Sequence, residues 1–362
     1  MRIYWSSKKG LLLSITFENE VAVTVDGMRF RFWESISIKT AIDNISTLEL
    51  GAPFDSSDPN ITEVFKPFTY KPIATTINDD AYFTGTISPV MPQIEPSKSI
   101  VSVGAYSLPG VLNEVTVSGD NIPLELSGLN LHEIADHLCT PFEFIIDARV
   151  EPGAVFPKVA MRPNDKILPF LAKLSKQRAQ VISNTAEGAL LFWEAVESGS
   201  PVAKLVQGES PLVDISPTFK PGQYYSEITG LKATRVRSKN SAKFKLENPV
   251  LSNVTRPYTF ELTDTDDADL ETVVTAKMGR MLADSVKYTA TIATWRDPQG
   301  ALWEPNTLIT VEAPDAMIYK PYTFLIQGVT LNKTANSEQA FLTLVLPGSF
   351  SSADPGGMPW DD

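Results

Sequence analysis

Apolar and polar residues alternate through most of the first hundred positions, a pattern typical of half-buried β-strands. The run "EVAVTVDGMRFRFWESISIKTAI" (20–42) alternates around Asp26-Gly27, a dipeptide that favours a two-residue hairpin turn. The run "STLELGAPFD" (46–55) is a further strand, and 67–90 predicts two more strands joined at Asn78-Asp79-Asp80. The proline-containing run "VMPQIEPSKS" (90–99) is predicted to be a linker. The first region is therefore predicted to be mostly β.

The hydrophobic period changes after this linker. "NLHEIADHLC" (130–139) predicts a short amphipathic helix, and "NDKILPFLAKLSKQRAQVIS" (164–183) predicts a second one, with Asn164 or Asp165 as its N-cap. Strand-like segments precede, separate and follow these helices. The order β-α-β-α-β predicts a compact α/β unit at about 98–200.

Strand patterns return in the last part, together with the longest predicted helix, "DADLETVVTAKMGRMLADSVKY" (267–288). Each β-region has five or six predicted strands, enough to close a small barrel. We therefore predict an α+β, mostly β fold with two small β-barrel domains flanking a central α/β insert. The predicted units are a first barrel at 1–97, the central domain at 98–210, a second barrel with one long helix at 211–347, and an extended tail at 348–362.

Composition narrows the functional classes. The chain has a net charge of −12, which disfavours sequence-independent binding to nucleic acid. Cys139 is the only cysteine, so an intrachain disulfide and a cysteine-based zinc cluster are excluded. No run of residues is apolar enough for a membrane helix, and the N-terminal apolar run has no signal-type cleavage site. We expect a soluble protein, made in a reducing cytoplasm and without membrane insertion.

Two polar segments resemble metal sites but fail the tests for them. His132 and His137 are five residues apart, about 140° around a helix, so the two rings diverge and cannot share a zinc ion as a zincin pair does. The acidic run from Asp264 to Glu271 lacks the glycine and the terminal glutamate of a calcium loop, and it fits a helix N-terminus. We expect no metal and no cofactor.

No catalytic motif is recognisable either. The sequence has no phosphate-binding glycine loop, nucleophile elbow or Cys/His pairing, although two carboxylates brought together by folding, as in glycosidases, would leave no sequence trace. The basic run "KATRVRSKNSAKFK" (232–245) is predicted to be an exposed loop or an interface with an acidic partner. The residues favour a non-enzymatic protein.

One turn flanked by two tryptophans has three possible functions, namely a sugar-binding surface, a nucleotide-binding site or a rigid structural element. In "TATIATWRDPQGALWEPNTLITVEAP" (289–314), two tryptophans flank a turn between alternating segments. The pattern favours a rigid structural hairpin in which paired rings stabilise the turn and a proline limits hydrogen bonding where the second strand starts. Its residues are Trp295, Asp297, Pro298, Gly300, Trp303 and Pro305.

The same stretch carries a family resemblance. Residues 256–350, with "WRDPQGALWEPNTLITV", "IQGVTL" and "LTLVLP", resemble the C-terminal region of baseplate hub proteins of Mu-like contractile-tailed phages. The N-terminal "VTVDGMRFRFWESISIKTAID" and "YFTGTISPV" are similar to the same family, as is the central run from "SIVSVGAYS" to "GALLFWEA". The resemblance covers nearly the whole chain, and loop 51–66 departs from it.

The resemblance implies a structural hub without chemistry. Such a hub is a homotrimer whose six barrels form a pseudo-sixfold ring, which adapts a hexameric tail tube to a trimeric central spike and surrounds the DNA channel. Implied partners are the tail tube protein, the spike protein and baseplate wedge or distal tail components, and DNA passes without specific binding. The implied location is the virion tail baseplate, assembled in the host cytoplasm.

Two alternatives remain open from the sequence. One is the hub of a bacteriocin-like or type VI secretion contractile particle, which would have the same architecture in another machine. The other is a hub-associated cell-wall hydrolase, for which an additional domain would be expected.

Overall fold

The computed structural model describes residues 19–95, 98–119, 124–232, 243–262, 270–350 and 357–361. The strands of the first region are β1 (Val21–Val25), β2 (Met28–Phe30), β3 (Ser35–Ala41), β4 (Asn44–Pro53), β5 (Pro72–Ile77), β6 (Asp80–Glu95) and β7 (Lys98–Ser107). Those of the central region are β8 (Leu124–Leu126), β9 (Ile146–Ala148), β10 (Val159–Met161), β11 (Val181–Asn184) and β12 (Leu190–Trp193). The last region contains β13 (Lys204–Val206), β14 (Leu212–Phe219), β15 (Glu227–Lys232), β16 (Lys243–Glu247), β17 (Pro257–Leu262), β18 (Val286–Ile292), β19 (Leu308–Ala313), β20 (Ile318–Thr334) and β21 (Glu338–Val345). The helices are α1 (Pro59–Val64), α2 (Leu131–Cys139), α3 (Ile167–Lys176) and α4 (Leu270–Ser285).

The predicted turns of the first region are present and have the backbone geometry that their residues favour. Asp26 and Gly27 both have positive φ, 52° and 75°, and they join the antiparallel strands β1 and β2. Asn78 and Asp79, with φ of 51° and 71°, join β5 to β6 in the same way. Two consecutive left-handed residues give the hairpin turn whose twist matches that of the flanking strands. Alternation then places one face of each strand in the core.

The two β-regions are parts of one thirteen-stranded sheet. Its strand order is β14-β18-β21-β20-β3-β4-β7-β6-β5-β1-β2, with β19 also pairing with β20 and β13 with β19. The connection between the regions is the antiparallel pair β3–β20, in which Ser35 lies opposite Thr334 and Ala41 opposite Gly328. The mostly β character is confirmed, but the described strands form no closed barrel. Sequence periodicity identified the strands and missed the pairing that merges the two regions.

Gly85 marks a point where two backbones of this sheet approach closely. A Cβ atom at this position would lie 2.1 Å from the carbonyl oxygen of Tyr106 on the adjacent strand. No side chain fits at that distance, so β6 and β7 can approach in this way only with glycine at position 85.

The described part of the proline-containing run predicted as a linker, 90–95 and 98–99, instead forms two paired strands. β6 continues to Glu95, and β7 returns from Lys98 with Pro92 opposite Val101. β5 pairs with β6 only as far as Thr86, so β7 is the only described neighbour of the later part of β6. Proline is tolerated there because the missing N–H would point away from the single partner strand. The ladder therefore runs across the predicted domain boundary at 97/98.

The central region has its own core and two small sheets. β8 pairs with β10, and β11-β12-β9 form a three-stranded sheet against which α2 and α3 pack. Helix α2 begins with a capping box, in which the Asn130 side chain accepts from Glu133 N at 3.0 Å and the Glu133 carboxylate accepts from Asn130 N at 2.8 Å. These reciprocal bonds satisfy donors that a helix start leaves unpaired.

Helix α3 differs from its prediction at both ends. Its N-cap is Lys166, which makes no side-chain capping bond, while the Asp165 carboxylate accepts from Arg162 N at 2.9 Å. The two predicted caps, Asn164 and Asp165, are thus wrong, because Asp165 closes the preceding turn instead. The helix ends at Lys176, and Ala179 adopts φ of 55°, so the predicted last turn becomes β11.

A fourth sheet, β16-β15-β17, carries helix α4. Residues 357–361 pack onto the second β-region. Tyr322 Oη donates to Gly357 O at 2.9 Å, and the Trp360 ring meets Phe219 edge-on at 5.2 Å. Asp361 N donates to Met358 O at 3.0 Å, so residues 358–361 form a docked turn where an extended tail is predicted.

Candidate functional site

The aromatic turn lies in a loop between two strands of the main sheet. β18 ends at Ile292 and β19 begins at Leu308, so both tryptophans lie outside the strands that were expected to contain them. Gly300 N donates to Asp297 O at 3.0 Å, and Gly300 adopts φ of 88°, a conformation that side chains disfavour. The Asp297 carboxylate accepts from Gln299 N and Ala301 N, both at 2.9 Å. Aspartate and glycine together fix the turn, and Pro298 occupies its second position, where proline is favoured.

Both tryptophan rings are buried in the main core. Trp295 is 0% exposed and Trp303 is 1% exposed. Their backbones are bonded across the loop, from Trp303 N to Trp295 O at 3.0 Å. The indole of Trp295 donates to Gln339 O at 2.9 Å, and the indole of Trp303 donates to Thr294 O at 3.0 Å. Because both faces are covered by protein, neither ring offers a surface to a sugar or a base in this conformation.

A buried polar network connects this loop to residues far away in sequence. Arg296 Nε donates to Asn19 Oδ1 at 2.8 Å, and Arg296 Nη1 donates to Gly300 O at 2.7 Å. Asn19 Nδ2 in turn donates to Glu338 Oε1 at 2.6 Å. Lys333 Nζ donates to Glu338 Oε2 at 2.9 Å and to Asn19 O. The loop is thereby fastened to the β20–β21 hairpin and to the start of the described chain.

Sequence inspection missed this network because charged residues give no sign of partners hundreds of positions away. Asn19 and Glu338 are separated by 319 positions. The side chains of Lys333 and Glu338 are 12% and 6% exposed. A buried ion pair needs further hydrogen bonds to offset its loss of hydration, and Asn19 supplies bonds to both partners.

A groove of about 480 Å³ lies beside the loop, where three parts of the chain meet. Its lining includes Tyr82 from the first region, Arg149 and Asn184 from the central region, and Leu302 and Pro305 from the loop. Burial raises the pKa of Tyr82, so its hydroxyl stays protonated.

The central region is attached to the main sheet beside this groove. Asn184 Oδ1 accepts from Ser46 N at 2.6 Å, and Ser183 Oγ donates to Ala41 O at 2.7 Å. Trp193 Nε1 donates to Ile42 O at 2.8 Å. These bonds run from β11 and β12 to the turn between β3 and β4, so the central region is held at the sheet segment that joins the two β-regions.

The strand order of the main sheet begins with β14 and ends with β2, and another chain could add strands at these two edges. β2 has only three residues, whereas β14 has eight and is exposed along much of its length. Val213 on β14 is 56% exposed and Phe219 is 38% exposed. Pro217 lies in the same strand, as is common at sheet edges. β14 is therefore the longer edge available for assembly.

The two histidines do not form a metal site in the structure. The His132 ring packs 5.1 Å from the Phe192 ring, and burial lowers the pKa of His132, while His137 is exposed. Across the described ranges, no group of three or more His, Cys, Asp or Glu side chains could hold a metal ion. In that same part of the chain, no helix has both the length and the apolar character needed to span a bilayer. Residues 264–269 of the acidic run lie outside the described residues.

The basic segment 232–245 also falls largely outside the described residues, which exclude 233–242. Of its described lysines, Lys245 bonds to two carboxylates of the same small sheet, Glu227 at 2.7 Å and Glu247 at 3.1 Å. This charge is already neutralised within the chain, so it offers little to a partner.

Comparison with known proteins gives these features a context. Residues 117–194 match the family model of the baseplate hub protein gp44-like second domain. Over 329 residues the chain is 25% identical to baseplate hub protein gp44 of Escherichia phage Mu, covering 86% of this chain and 84% of that protein. The chain is similar to Mu-like baseplate hubs. The resemblance to baseplate hub proteins predicted from the sequence is confirmed.

Solved structures agree in fold. The 43 kDa tail protein of prophage MuSo2 from Shewanella oneidensis superposes with a TM-score of 0.77 at 19% identity, covering 92% of this chain and 99% of that one. A component of the type VI secretion system, the E. coli c3393 protein, has a TM-score of 0.56 at 9% identity, covering 93% and 78%. The shared fold thus extends from phage tails to a secretion machine.

Proposed function

We propose that this protein is the structural hub of a contractile phage tail baseplate, and that it works as a homotrimer. The observation that carries the proposal is the pair β3–β20, which joins two sheet halves of similar size in one chain. Seven strands, β1 to β7, lie on one side of this junction, and six lie on the other. In this proposal each half of the sheet acts as one unit of the assembly, so three chains supply six units in a pseudo-sixfold ring.

Such a ring adapts a hexameric tail tube on one side to a trimeric central spike on the other. A trimer that contains six similar units can contact a hexamer through the six units and a trimer through its threefold symmetry, with the same number of chains. The sheet edges at β2 and β14 are suitable for pairing with neighbouring protomers, the tube protein, or wedge and distal tail components. Assembly takes place in the host cytoplasm and requires no cofactor.

The ring surrounds the DNA channel. A net charge of −12 suits a channel wall, because DNA must pass through without being retained. The turn from Trp295 to Pro305 acts as a rigid piece of the second unit, held by its buried rings and by the Arg296 network. In this function the turn contributes rigidity and takes part in no reaction.

The solution mass tests the trimer. Multi-angle light scattering of the purified protein should give three times 39.7 kDa, or a monomer that trimerises when the spike partner is added. A stable dimer, or a monomer indifferent to every tail component, contradicts the proposal.

A matched pair of variants tests the β14 edge. Val213→Asp should weaken assembly, because a charge on an exposed edge opposes strand addition. Val155→Asp in the central region is the control, since Val155 is 53% exposed and Val213 is 56% exposed. Equal association of both variants would exclude β14 from the interface.

A second candidate function is the hub of a bacteriocin-like or type VI secretion particle, supported by the fold likeness to the E. coli c3393 protein. Co-purification of the chain with packaged DNA after particle induction favours the phage, and DNA-free particles favour the alternative. A hub-associated cell-wall hydrolase is tested by peptidoglycan release with purified protein. Robust lysis would overturn the purely structural function.

A further inference from the structure

A cationic groove lies between α3, α4 and the edge strand β17, away from the tryptophan loop. It has a volume of about 540 Å³. Its basic side chains are Lys173 and Lys176 from α3, and Lys277 and Arg280 from α4. Only Glu261 and Asp284 oppose them in the lining, and Asp284 already pairs with Lys287 at 3.5 Å. In a chain with a net charge of −12, four cations in one groove are a local reversal of sign.

Burial removes hydration from two of these lysines and lowers the pKa of both Lys176 and Lys277, and the nearby Arg280 charge lowers both further. For Lys176 the carboxylates of Asp43 and Asp284 oppose this shift without cancelling it. In the part of the chain that the structure describes, no ion pair joins either ammonium to a carboxylate. A partly desolvated ammonium that is not paired with a carboxylate is costly, and that cost falls when an anion binds.

Polar atoms without partners lie along the same groove. Arg280 Nε and Gln177 Oε1 are buried and have no hydrogen-bond partner, although Arg280 Nη2 donates to Gln180 O at 3.4 Å. Gln177 is 8% exposed. Arg280 Nε needs a hydrogen-bond acceptor, and Gln177 Oε1 needs a donor. A carboxylate supplies the acceptor, and a backbone N–H supplies the donor.

The floor of the groove consists of aromatic rings on an open strand. Tyr225 and Tyr258 have ring centroids 4.8 Å apart, and Tyr258 and Phe260 are 6.2 Å apart. β17, which carries two of these rings, ends the sheet β16-β15-β17 and pairs only with β15 among the described strands. An edge strand is a ready template for an extended segment.

We propose that this groove binds an extended, carboxylate-rich peptide segment of another protein. The carboxylates meet Lys176, Lys277 and Arg280, and the backbone of the segment runs along β17. The binding does not depend on the hub function proposed above, because it uses only the charges and open edge of the groove. It gives the protein one partner surface of defined chemistry.

A polynucleotide fits these features less well than a peptide. The Lys277 ammonium lies 5.4 Å from the Tyr258 ring and 4.8 Å from the Phe260 ring, so these faces are already covered and cannot stack freely on bases. A long phosphate chain would also meet the acidic remainder of the protein. A short acidic segment meets only the groove, because charges farther away than about 10 Å are screened at moderate salt.

Fluorescence anisotropy with the full-length chain tests the proposal at about 0.1 M salt, where the screening length is about 10 Å. The probe is a fluorescein-labelled ten-residue peptide of alternating glutamate and valine. The comparison probes are the lysine–valine peptide of the same length and a ten-nucleotide oligothymidylate. We expect binding of the acidic peptide alone, weakened by added salt.

Charge-reversal variants locate the binding. The double variant Lys176→Glu with Lys277→Glu should weaken binding of the acidic peptide by about tenfold or more. The control, Lys158→Glu with Lys204→Glu, makes the same charge change at exposed lysines outside the groove and should stay within about twofold. If circular dichroism shows that the groove variant is unfolded, Lys176→Gln with Lys277→Gln replaces it, with the same expected direction.

Four results would overturn the proposal. They are no binding by the unaltered protein, equal weakening in the groove and control variants, tighter binding of oligothymidylate than of the acidic peptide, and binding seen only after Asp266, Asp267 and Asp269 are changed to Asn. The last result would assign the groove to the acidic run of the same chain.

Discussion

Removing the indole of Trp295 should destabilise the protein more than removing any exposed ring. The ring is fully buried in the main core, and its Nε1 donates to Gln339 O at 2.9 Å. Lys333 Nζ also lies 5.8 Å from the ring centroid. Trp295→Ala therefore removes packing, a hydrogen bond and a cation–π contact at once.

The expected loss follows from these contacts. A buried aromatic side chain removes 150–250 Å² from water, worth about 4–6 kcal/mol at 25 cal/mol per Å². Alanine keeps part of this, and measured Trp→Ala losses in cores are about 3–5 kcal/mol. We expect Trp295→Ala to lower the free energy of unfolding by about 4 kcal/mol. Trp295→Phe, which keeps an apolar ring but loses the indole donor, should cost about 1–2 kcal/mol.

Urea unfolding followed by far-ultraviolet circular dichroism measures both values by linear extrapolation. The control is Phe32→Ala, because Phe32 is 68% exposed and its removal should change stability by less than about 0.5 kcal/mol. A loss below about 1 kcal/mol for Trp295→Ala, or equal losses for Ala and Phe, would refute the reasoning. If Trp295 and Trp303 are both replaced by alanine and a trimer stays intact but loses glycan binding, the structural interpretation of the turn is wrong.

Three further predictions concern other positions. Gly300→Ala should lower the free energy of unfolding by about 1 kcal/mol in urea, because φ at this position is 88°. Gly222→Ala is the control, since Gly222 has equally open space and no positive φ, and its loss should be smaller. Equal losses would exclude backbone strain as the cause. Burial lowers the pKa of His132 below its ordinary 6.5, so its contribution to stability is present above that pH and is lost as the pH falls. His132→Gln should therefore reduce the stability that the protein loses on acidification below pH 6.5. The same change at the exposed His137 should not reduce it. Burial raises the pKa of Cys139 to about 12, so a thiol reagent at mildly alkaline pH should label this residue only after unfolding, and rapid labelling of the native protein would contradict its burial.

Local features were predictable where short-range chemistry decides the structure. The turn residues Asp26-Gly27 and Asn78-Asp79 favour left-handed backbone and appear as expected, as does helix α4. Prediction was wrong where tertiary contacts overrule local preference. The prolines of 90–99 suggested a linker, but one unpaired edge allows Pro92 to remain within a strand. Whether a sheet edge is free cannot be read from a single segment.

The groove beside α3 and α4 was beyond sequence prediction for a different reason. Lys176 ends α3 and Lys277 lies in α4, about a hundred positions later, so their proximity exists only in the folded chain. The basic run 232–245 was the visible candidate for an acidic partner, whereas the lysines of the groove are isolated in sequence. Charge density along a chain is a poor guide to charge density on a surface.

The pairing of β3 with β20 also determines when this protein can fold. On the ribosome, β3 emerges almost three hundred residues before its partner. Until then its edge is exposed, and closing so long a loop slows the search for the correct register. Wrong strand pairing is therefore most frequent while only the N-terminal half of the chain has been synthesised. Any fragment ending before Gly328 would keep that edge open, because the residues of β20 that pair with β3 begin there. The molecule therefore tolerates truncation at its C-terminal side poorly, and it is ready to assemble only when synthesis is nearly complete.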